Sequence, residues 1–570
     1  MTPAPAPTST EPRRLDEAVA RVREAAPGWA RAPIEERIAL ARAMLAGVDR
    51  NAERMVREAC AARSLPFGAT VSGDEWLVGP YTTIRILRQL VRSLTAIARN
   101  GNTPLGPTGE TVDGRLTARV FPPTALDRML FMGVRGEVHM KEGVGVDRLN
   151  ARRAGFHKAP DHAGKVCLVL GAGNVNAIAP TDVATKLFNE GKTCVLKMNP
   201  VNAYLGPIVE DAFADAVARG VLAVVYGGAE EGEYLVRHPG VDEVHITGSN
   251  RSHDAIVWGP PGPERAERMA RGAPLLRKEI TSELGDVAPV IVVPGAWSER
   301  ALSAQAESVA GMVTQNASFN CAAAQVLVLP RGWSLRDAFL ASLERAMATT
   351  PARVPWYPGS PERFRRLTDG RAGVRRSEAG EGTLPWTLVT GVDPRGDDEL
   401  LRTEAFCALL AETQVGSEDP LEFLDAAVAF TREKLWGTLS ANVVVPPAAL
   451  RDPGLRPALD RAVRRLEYGT VAVNCWAAYA FAFGTTPWGG FPGQPLTDVR
   501  SGRGFVHNTL MLAPDDVEKS VLWHPAIPPI KPPYFPSHRT AGALGRALIA
   551  LEARGRWSAL PRVLYHAVRA

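Results

Sequence analysis

The sequence predicts an α/β protein built on a doubly wound parallel sheet, and three observations carry that expectation. From Gly164 onward, short apolar runs alternate with glycine turns and amphipathic stretches, the grammar of successive βαβ units. A second run of the same alternation begins near Glu283 and reaches Asn474. At 570 residues the chain is also longer than one hydrophobic core serves, so two or three domains are expected.

The elements follow in order. Met1-Thr-Pro-Ala-Pro-Ala-Pro-Thr-Ser9 has no charged start followed by an apolar stretch, so residues 1–13 are expected to be a disordered arm and not a signal peptide. From Arg14 to about Asn100 the period is helical: Leu40, Met44 and Leu45 share a face, as do Ile84, Leu87 and Leu90. Residues 102–161 are rich in Gly, Pro and alternating runs such as Gly136-Glu-Val-His-Met140, which predict an insertion of hairpins and loops. Strands are then expected at Val166-Cys-Leu-Val-Leu170, Thr193-Cys-Val-Leu-Lys197, Leu222-Ala-Val-Val-Tyr226 and Glu243-Val-His-Ile-Thr247, with helices between them. The second α/β unit is expected over 283–505, and a return strand over 506–524. Residues 525–570 read as a proline-rich connector and a terminal amphipathic helix with Leu544, Leu548 and Leu551 on one stripe. That helix is expected to dock on its own or a partner subunit. Membrane-surface association through Arg546, Arg554 and Arg556 is the second reading. The segments 102–134 and 351–376 carry no readable signal.

Composition narrows the class. With 45% hydrophobic residues, 22% charged residues and a net charge of +5, the chain has the balance of a soluble globular protein. Arginine is abundant but forms no basic stripe interleaved with aromatics, which argues against a nucleic-acid partner. No apolar run approaches the roughly 20 residues needed to span a bilayer. The six cysteines are scattered, with no CxxC pair and no His or Cys set at metal spacing. A reducing, cytoplasmic setting without metal follows as the expectation.

One cysteine stands apart. Cys321 lies in Gln315-Asn-Ala-Ser-Phe-Asn-Cys-Ala-Ala-Ala-Gln325, just before the strand-like Val326-Leu-Val-Leu-Pro330. Upstream are Glu283-Leu-Gly285, Gly171-Ala-Gly-Asn174 and Leu196-Lys-Met-Asn-Pro200. Covalent oxidation of a carbonyl needs such a set: a thiolate to attack, a donor to hold the oxyanion, and a base to activate water. Cys321 could be the nucleophile and Glu283 the base. Asn174, at the carboxyl end of a parallel strand, could be the donor. Each alone has a bland explanation: a buried thiol, a solvated carboxylate, a loop amide. Gly171-Ala-Gly173 is no dinucleotide fingerprint, because position 176 is Asn. Gly228 and Gly232 alone would mark only close helix packing.

The order and spacing of these pieces resemble the aldehyde dehydrogenase superfamily over roughly residues 15–522. The resemblance places Cys321 on the catalytic thiol, Glu283 on the general base and Asn174 on the oxyanion amide. It places Lys197 on the lysine at the adenosine ribose, Gly228 and Gly232 beneath the adenine, and Thr247, Gly248 and Ser249 on the turn before a helix that approaches the pyrophosphate. Glu404-Ala-Phe406 resembles the motif whose Glu404 and Phe406 hold the nicotinamide ribose and ring. Tyr468–Asn474, Pro487-Trp-Gly-Gly490 and Asp516–Val521 resemble the family's closing segments. The resemblance implies a Rossmann-type NAD(P)-binding domain over 14–282, a catalytic domain over 283–505 and an oligomerisation strand over 506–524 that joins homodimers or homotetramers. Pro200 stands where the family commonly has a ribose-binding glutamate, so NAD and NADP are both expected cofactors. An aldehyde substrate is expected against Phe319, Trp476 and Tyr479, for which core packing is an equal alternative. A CoA-acylating dehydrogenase is the runner-up, disfavoured by Glu283, and a catalytically silent binding subunit is a third reading.

Overall fold

The computed structural model describes residues 7–570 except Pro160 and Arg556. Its smaller sheet has six strands in the order Gly502–Arg503, Glu279–Leu284, Glu243–Gly248, Val166–Leu170, Thr193–Lys197, Leu222–Val225. All are parallel except the two-residue edge strand Gly502–Arg503. The strands are continuous apolar runs because helices cover both faces. Pro12–Ala30 seals one face through Leu15, Val19 and Val22. Ile178–Phe188 lies on the other, buried along its whole length. Strand order reverses between Val166–Leu170 and Glu243–Gly248. The turns at Gly171 and Gly248 therefore diverge and leave a crevice at the carboxyl ends of those strands.

The larger sheet has eleven strands. Seven are parallel, in the order Val517–Trp523, Thr470–Val473, Ser440–Val444, Pro289–Val292, Val326–Pro330, Leu409–Val415, Thr387–Val392. Val374–Arg376 closes one end, and Arg135–Met140, Leu116–Phe121 and Thr108–Glu110 extend the other, all antiparallel. The chain crosses between the sheets from Leu284 to Pro289. That crossing sets the amino ends of Val326–Pro330 and Leu409–Val415 opposite the crevice of the smaller sheet.

Several expectations change here. The disordered arm does not extend to residue 13: Thr10 pairs with Tyr226 through N–H to O at 3.0 Å, and the helix starts at Pro12, whose ring is tolerated in a first turn. Residues 1–6 of that arm lie outside the described residues. The 102–161 segment does form hairpins, together with short helices such as Ala125–Leu130. They extend the larger sheet, not the smaller sheet to which that segment was expected to belong. The boundary at 283 falls inside the strand Glu279–Leu284. The return strand, Val517–Trp523, is fully buried within its own chain's sheet between Thr470–Val473 and Arg135–Met140.

The terminal helix is two helices, Ala541–Arg554 and Leu560–Val568. The first docks on the chain's own amino-terminal helices. Arg546 stacks on Trp76 and Arg554 pairs with Asp49, which removes both from a membrane-facing role, and Arg556 lies outside the described residues. Among the described residues no helix is long and apolar enough to cross a membrane.

Candidate active site

A cleft of about 1150 Å³ runs from the crevice of the smaller sheet to Cys321. It is lined by Asn174, Lys197, Gly228, Gly232, Thr247, Gly248, Ser249, Glu283, Cys321, Glu404 and Phe406. Residues up to 230 positions apart thus meet in one cavity, and each owes its place to an element end.

The carboxylate and thiol come from the two sheets. Glu283 ends the strand Glu279–Leu284, and Cys321 precedes Val326–Pro330. Both groups line the inner end of the cleft, and each shifts the titration of the other. Burial pushes Glu283 up to about 8, and the charge of Asp182 adds to it, while hydrogen bonds from Trp488 and the Cys321 thiol oppose the shift. Burial likewise raises the Cys321 thiol well above its usual range, reinforced by the Glu283, Glu404 and Asp286 carboxylates. Glu404 is pushed up to about 8 by burial and then by Glu283. Its Oε1 is buried without a partner. Gly285 has no alternative side chain, since a Cβ there would sit 2.1 Å from that carboxylate.

The loop before the cysteine is strained. Asn316, Ala317 and Ser318 occupy the left-handed region with φ of 53°, 56° and 69°, a conformation disfavoured for each of these residues. Side-chain bonds hold it. Asn316 Nδ2 donates to the Asn174 and Phe319 carbonyls, both at 3.0 Å. Arg63, buried at the end of the helix Ile34–Ala62, donates to Glu75 at 2.6 Å, to Asn316 Oδ1 at 3.1 Å and to the Asn174 carbonyl at 3.0 Å. One guanidinium therefore fixes both the nucleophile loop and the amide loop. In this state the Asn174 amide donates to the Phe319 carbonyl at 3.0 Å.

The opposite end of the cleft has a different character. Lys197 closes its strand with Nζ in the cleft, its pKa lowered by burial against the opposing charge of Glu231. Glu231 caps the turn by accepting from the Gly228 N–H at 2.7 Å. Ser249 caps the helix Asn250–Trp258, whose amino end faces the cleft. Thr247 lines the cleft, but its hydroxyl turns inward to Asp182 at 2.8 Å.

The aromatic wall differs from expectation. Trp476 and Tyr479 are absent from the cleft lining: the Trp476 indole donates to the Ala322 carbonyl, and both rings pack on Tyr534 of the carboxyl-terminal connector. The core-packing alternative holds for them. Phe319 is buried behind the wall formed by Tyr357 and Phe406, with ring centroids 5.6 and 5.7 Å away. Tyr357 comes from the 351–376 segment, which offered no signal beyond its aromatic pair Trp356-Tyr357. Arg363, from the same segment, holds the Ala405 and Phe406 carbonyls at 2.6 and 2.9 Å. Trp488, whose indole donates to Glu283 Oε1 at 3.0 Å, was visible only as part of a closing motif.

Residues 165–359 match the model of the aldehyde dehydrogenase family. That stretch, about a third of the chain, is similar to aldehyde dehydrogenases. Among related family members, N-succinylglutamate 5-semialdehyde dehydrogenase 1 of Caulobacter vibrioides is 32% identical over 138 residues, 24% of this chain and 26% of that protein. Aminoacetaldehyde dehydrogenase of Pseudomonas aeruginosa is 28% identical over 302 residues, 50% of this chain and 53% of that protein. The chain thus matches about a quarter to about half of the length of these curated relatives. The family fold is shared much further. Gamma-glutamyl-gamma-aminobutyraldehyde dehydrogenase of Burkholderia cenocepacia superposes with a TM-score of 0.60 at 21% identity, covering 91% of this chain and 90% of that one. NADP-dependent glyceraldehyde-3-phosphate dehydrogenase of Bacillus halodurans, complexed with NADP, gives 0.59 at 18% identity over 90% and 92%.

Proposed function

We propose that this protein oxidises an aldehyde to a carboxylic acid, using NAD or NADP, through a thioester on Cys321 that water resolves. The observation that carries the reading is that Cys321 and Glu283 line the same inner end of a cleft that also takes in Lys197, Ser249 and Glu404. The cleft suits such a cofactor on its own evidence of fit. Glu404 Oε1 is a buried acceptor awaiting a donor such as a ribose hydroxyl. Gly228 and Gly232 leave the side of Lys197 open, and a helix amino end capped by Ser249 favours a phosphate. Lys197, Gly228, Gly232, Gly248 and Ser249 would hold the adenosine and pyrophosphate end, with Glu404 and Phe406 at the nicotinamide end.

Glu283 takes the thiol proton, and the Cys321 thiolate forms a C–S bond to the aldehyde carbon. The Cys321 backbone N–H and the Asn174 amide hold the resulting oxyanion. A nicotinamide held beside Glu404 and Phe406 would supply the hydride acceptor that this oxidation requires, leaving a thioester on Cys321. Glu283, having released its first proton, removes one from water. The water oxygen attacks the thioester, the C–S bond breaks, and the acid leaves with the thiolate restored. A base beside the thioester favours water over CoA as acceptor. The two curated relatives above act, by their names, on aldehydes that carry an acyl-amino or amino group; here Tyr357 and Phe406, backed by Phe319, would bound the carbon skeleton. We further infer a homo-oligomer as the assembly, for sedimentation to decide.

The test follows reduced nicotinamide at 340 nm, roughly its absorbance maximum, with NAD and NADP over an aldehyde panel, with and without CoA. Cys321→Ala abolishes the signal, and Glu283→Gln gives one stoichiometric burst and then stalls. Turnover that persists in Cys321→Ala removes the covalent route, and turnover that needs CoA replaces the hydrolytic one.

A further inference from the structure

We propose that Trp488 is a positioning residue for the base: its indole N–H holds the Glu283 carboxylate in place in the cleft and favours its ionised form. This rests on the reading of Cys321 and Glu283 as an oxidation site.

The contact is built, not incidental. Trp488 is 1% exposed and Glu283 4% exposed, with Nε1 to Oε1 at 3.0 Å. The backbone of Trp488 is locked to Val506 in both directions, N–H to O at 2.9 Å and back at 2.8 Å. The glycines that follow let neighbouring backbone close in: a Cβ on Gly489 would sit 2.3 Å from the Gly504 carbonyl oxygen. Phe481 meets the indole edge-on, with ring centroids 6.0 Å apart. The indole therefore has no freedom to leave Glu283, and the carboxylate inherits that restriction.

The chemistry of an indole suits the task. It is a donor only, so it favours a carboxylate over a carboxylic acid and cannot accept the proton that the acid would carry. Every titratable group facing Glu283 pulls the other way or is neutral: Asp182 from the helix Ile178–Phe188, Asp286 from the crossing between the sheets, Glu404 ahead of Leu409–Val415, and the Cys321 thiol. A charge in this company would otherwise be lost to protonation. A neutral donor supports the ionised form without introducing a cation that would pair with the base permanently and quench it. Phenylalanine would fill much of the same apolar space and offer no donor.

Trp488→Phe tests this. The expected result is a burst of reduced nicotinamide of wild-type amplitude, an unchanged KM for the cofactor, and steady turnover down about ten-fold. The acid limb of kcat should move up by about one pH unit, the range a charge-assisted hydrogen bond commands. In a Glu283→Gln background the same substitution should add nothing. An unmoved acid limb overturns the proposal, because a purely structural tryptophan would lower amplitude without shifting the pH profile. Should Trp488→Phe fail to fold, 15N-indole NMR of the intact protein decides. One of the twelve tryptophan indole signals should move with pH in wild type and stay still in Glu283→Gln; if none does, the contact is refuted. Absence of any reduced nicotinamide from the wild-type protein would refute the oxidation reading instead, and the NMR result would stand apart from it.

Discussion

At the scale of single residues, Glu283 has two pH dependences of opposite sign. Its carboxyl is pushed up to about 8, chiefly by burial. The ionised form is the base, so turnover should rise as pH climbs through that region. The native state, however, binds this proton more tightly than the unfolded chain. The group's contribution to stability is therefore greatest below the unfolded pKa, near 4.3, and declines as pH rises toward about 8. Glu283→Gln removes that decline and still accepts the indole hydrogen bond. Its melting temperature should exceed that of wild type by on the order of a few degrees near pH 9, with the gap closing toward pH 5. Equal gaps at both pH values would assign the effect to packing. At the other end of the cleft, Pro200 offers the ribose no carboxylate, so Pro200→Glu should shift the ratio of kcat/KM values toward NAD by roughly ten-fold or more. Steady-state kinetics with both cofactors checks it. That Cys321, Glu283 and Pro200 stand out was legible in the sequence, because each sits in a short motif, and all three line the cleft.

At the scale of elements, the left-handed stretch Asn316–Ser318 depends on the Arg63–Glu75 pair, which is almost fully buried. Arg63→Met should leave Glu75 uncompensated and destabilise the protein by about 3–5 kcal/mol. Arg63→Met with Glu75→Gln should recover part of that loss, since no charge is then stranded. Turnover should stay low in both variants, because neither restores the donors to the Asn316 side chain and the Asn174 carbonyl. Thermal unfolding and steady-state rates together check this. A double variant with full activity would deny Arg63 its place in shaping the site. None of this was readable from sequence. Arg63 lies 111 residues from Asn174 and 253 from Asn316, in a helix whose pattern shows only amphipathic periodicity. Trp356 and Tyr357 were hidden for a related reason, since a loop without periodicity gives no hint of which cavity it borders.

At the scale of the whole molecule, the helices Pro12–Ala30 and Ala541–Arg554 both pack into the core. Ala541–Arg554 packs so closely on the amino-terminal region that a Cβ on Gly545 would meet the Trp76 side chain at 2.7 Å. Buried Glu552 and Asp127 clamp Arg85 at 2.9 and 2.7 Å. Truncation after residue 540 should therefore lower the melting temperature sharply and give protein prone to aggregation, with Leu87, Leu90 and Trp76 newly exposed. Differential scanning calorimetry and light scattering check this; a truncated protein that melts like wild type would make the tail an appendage. The aromatic segment 476–483 belongs to the same scale. It packs against the connector at Tyr534 and the hairpin residues Phe121 and Phe131, joining segments far apart in the chain.

The sequence by itself determined the alternation of strands and helices and singled out Cys321 and Glu283, because these depend on local period and short motifs. Only the tertiary structure decided that the return strand completes its own chain's sheet, that the tail docks on the chain's own amino-terminal helices, and that Arg63, Tyr357 and Trp488 surround the site. Those outcomes depend on which distant surfaces meet. Burial and hydrogen-bond satisfaction select among such meetings, and they become defined only when the whole chain has packed.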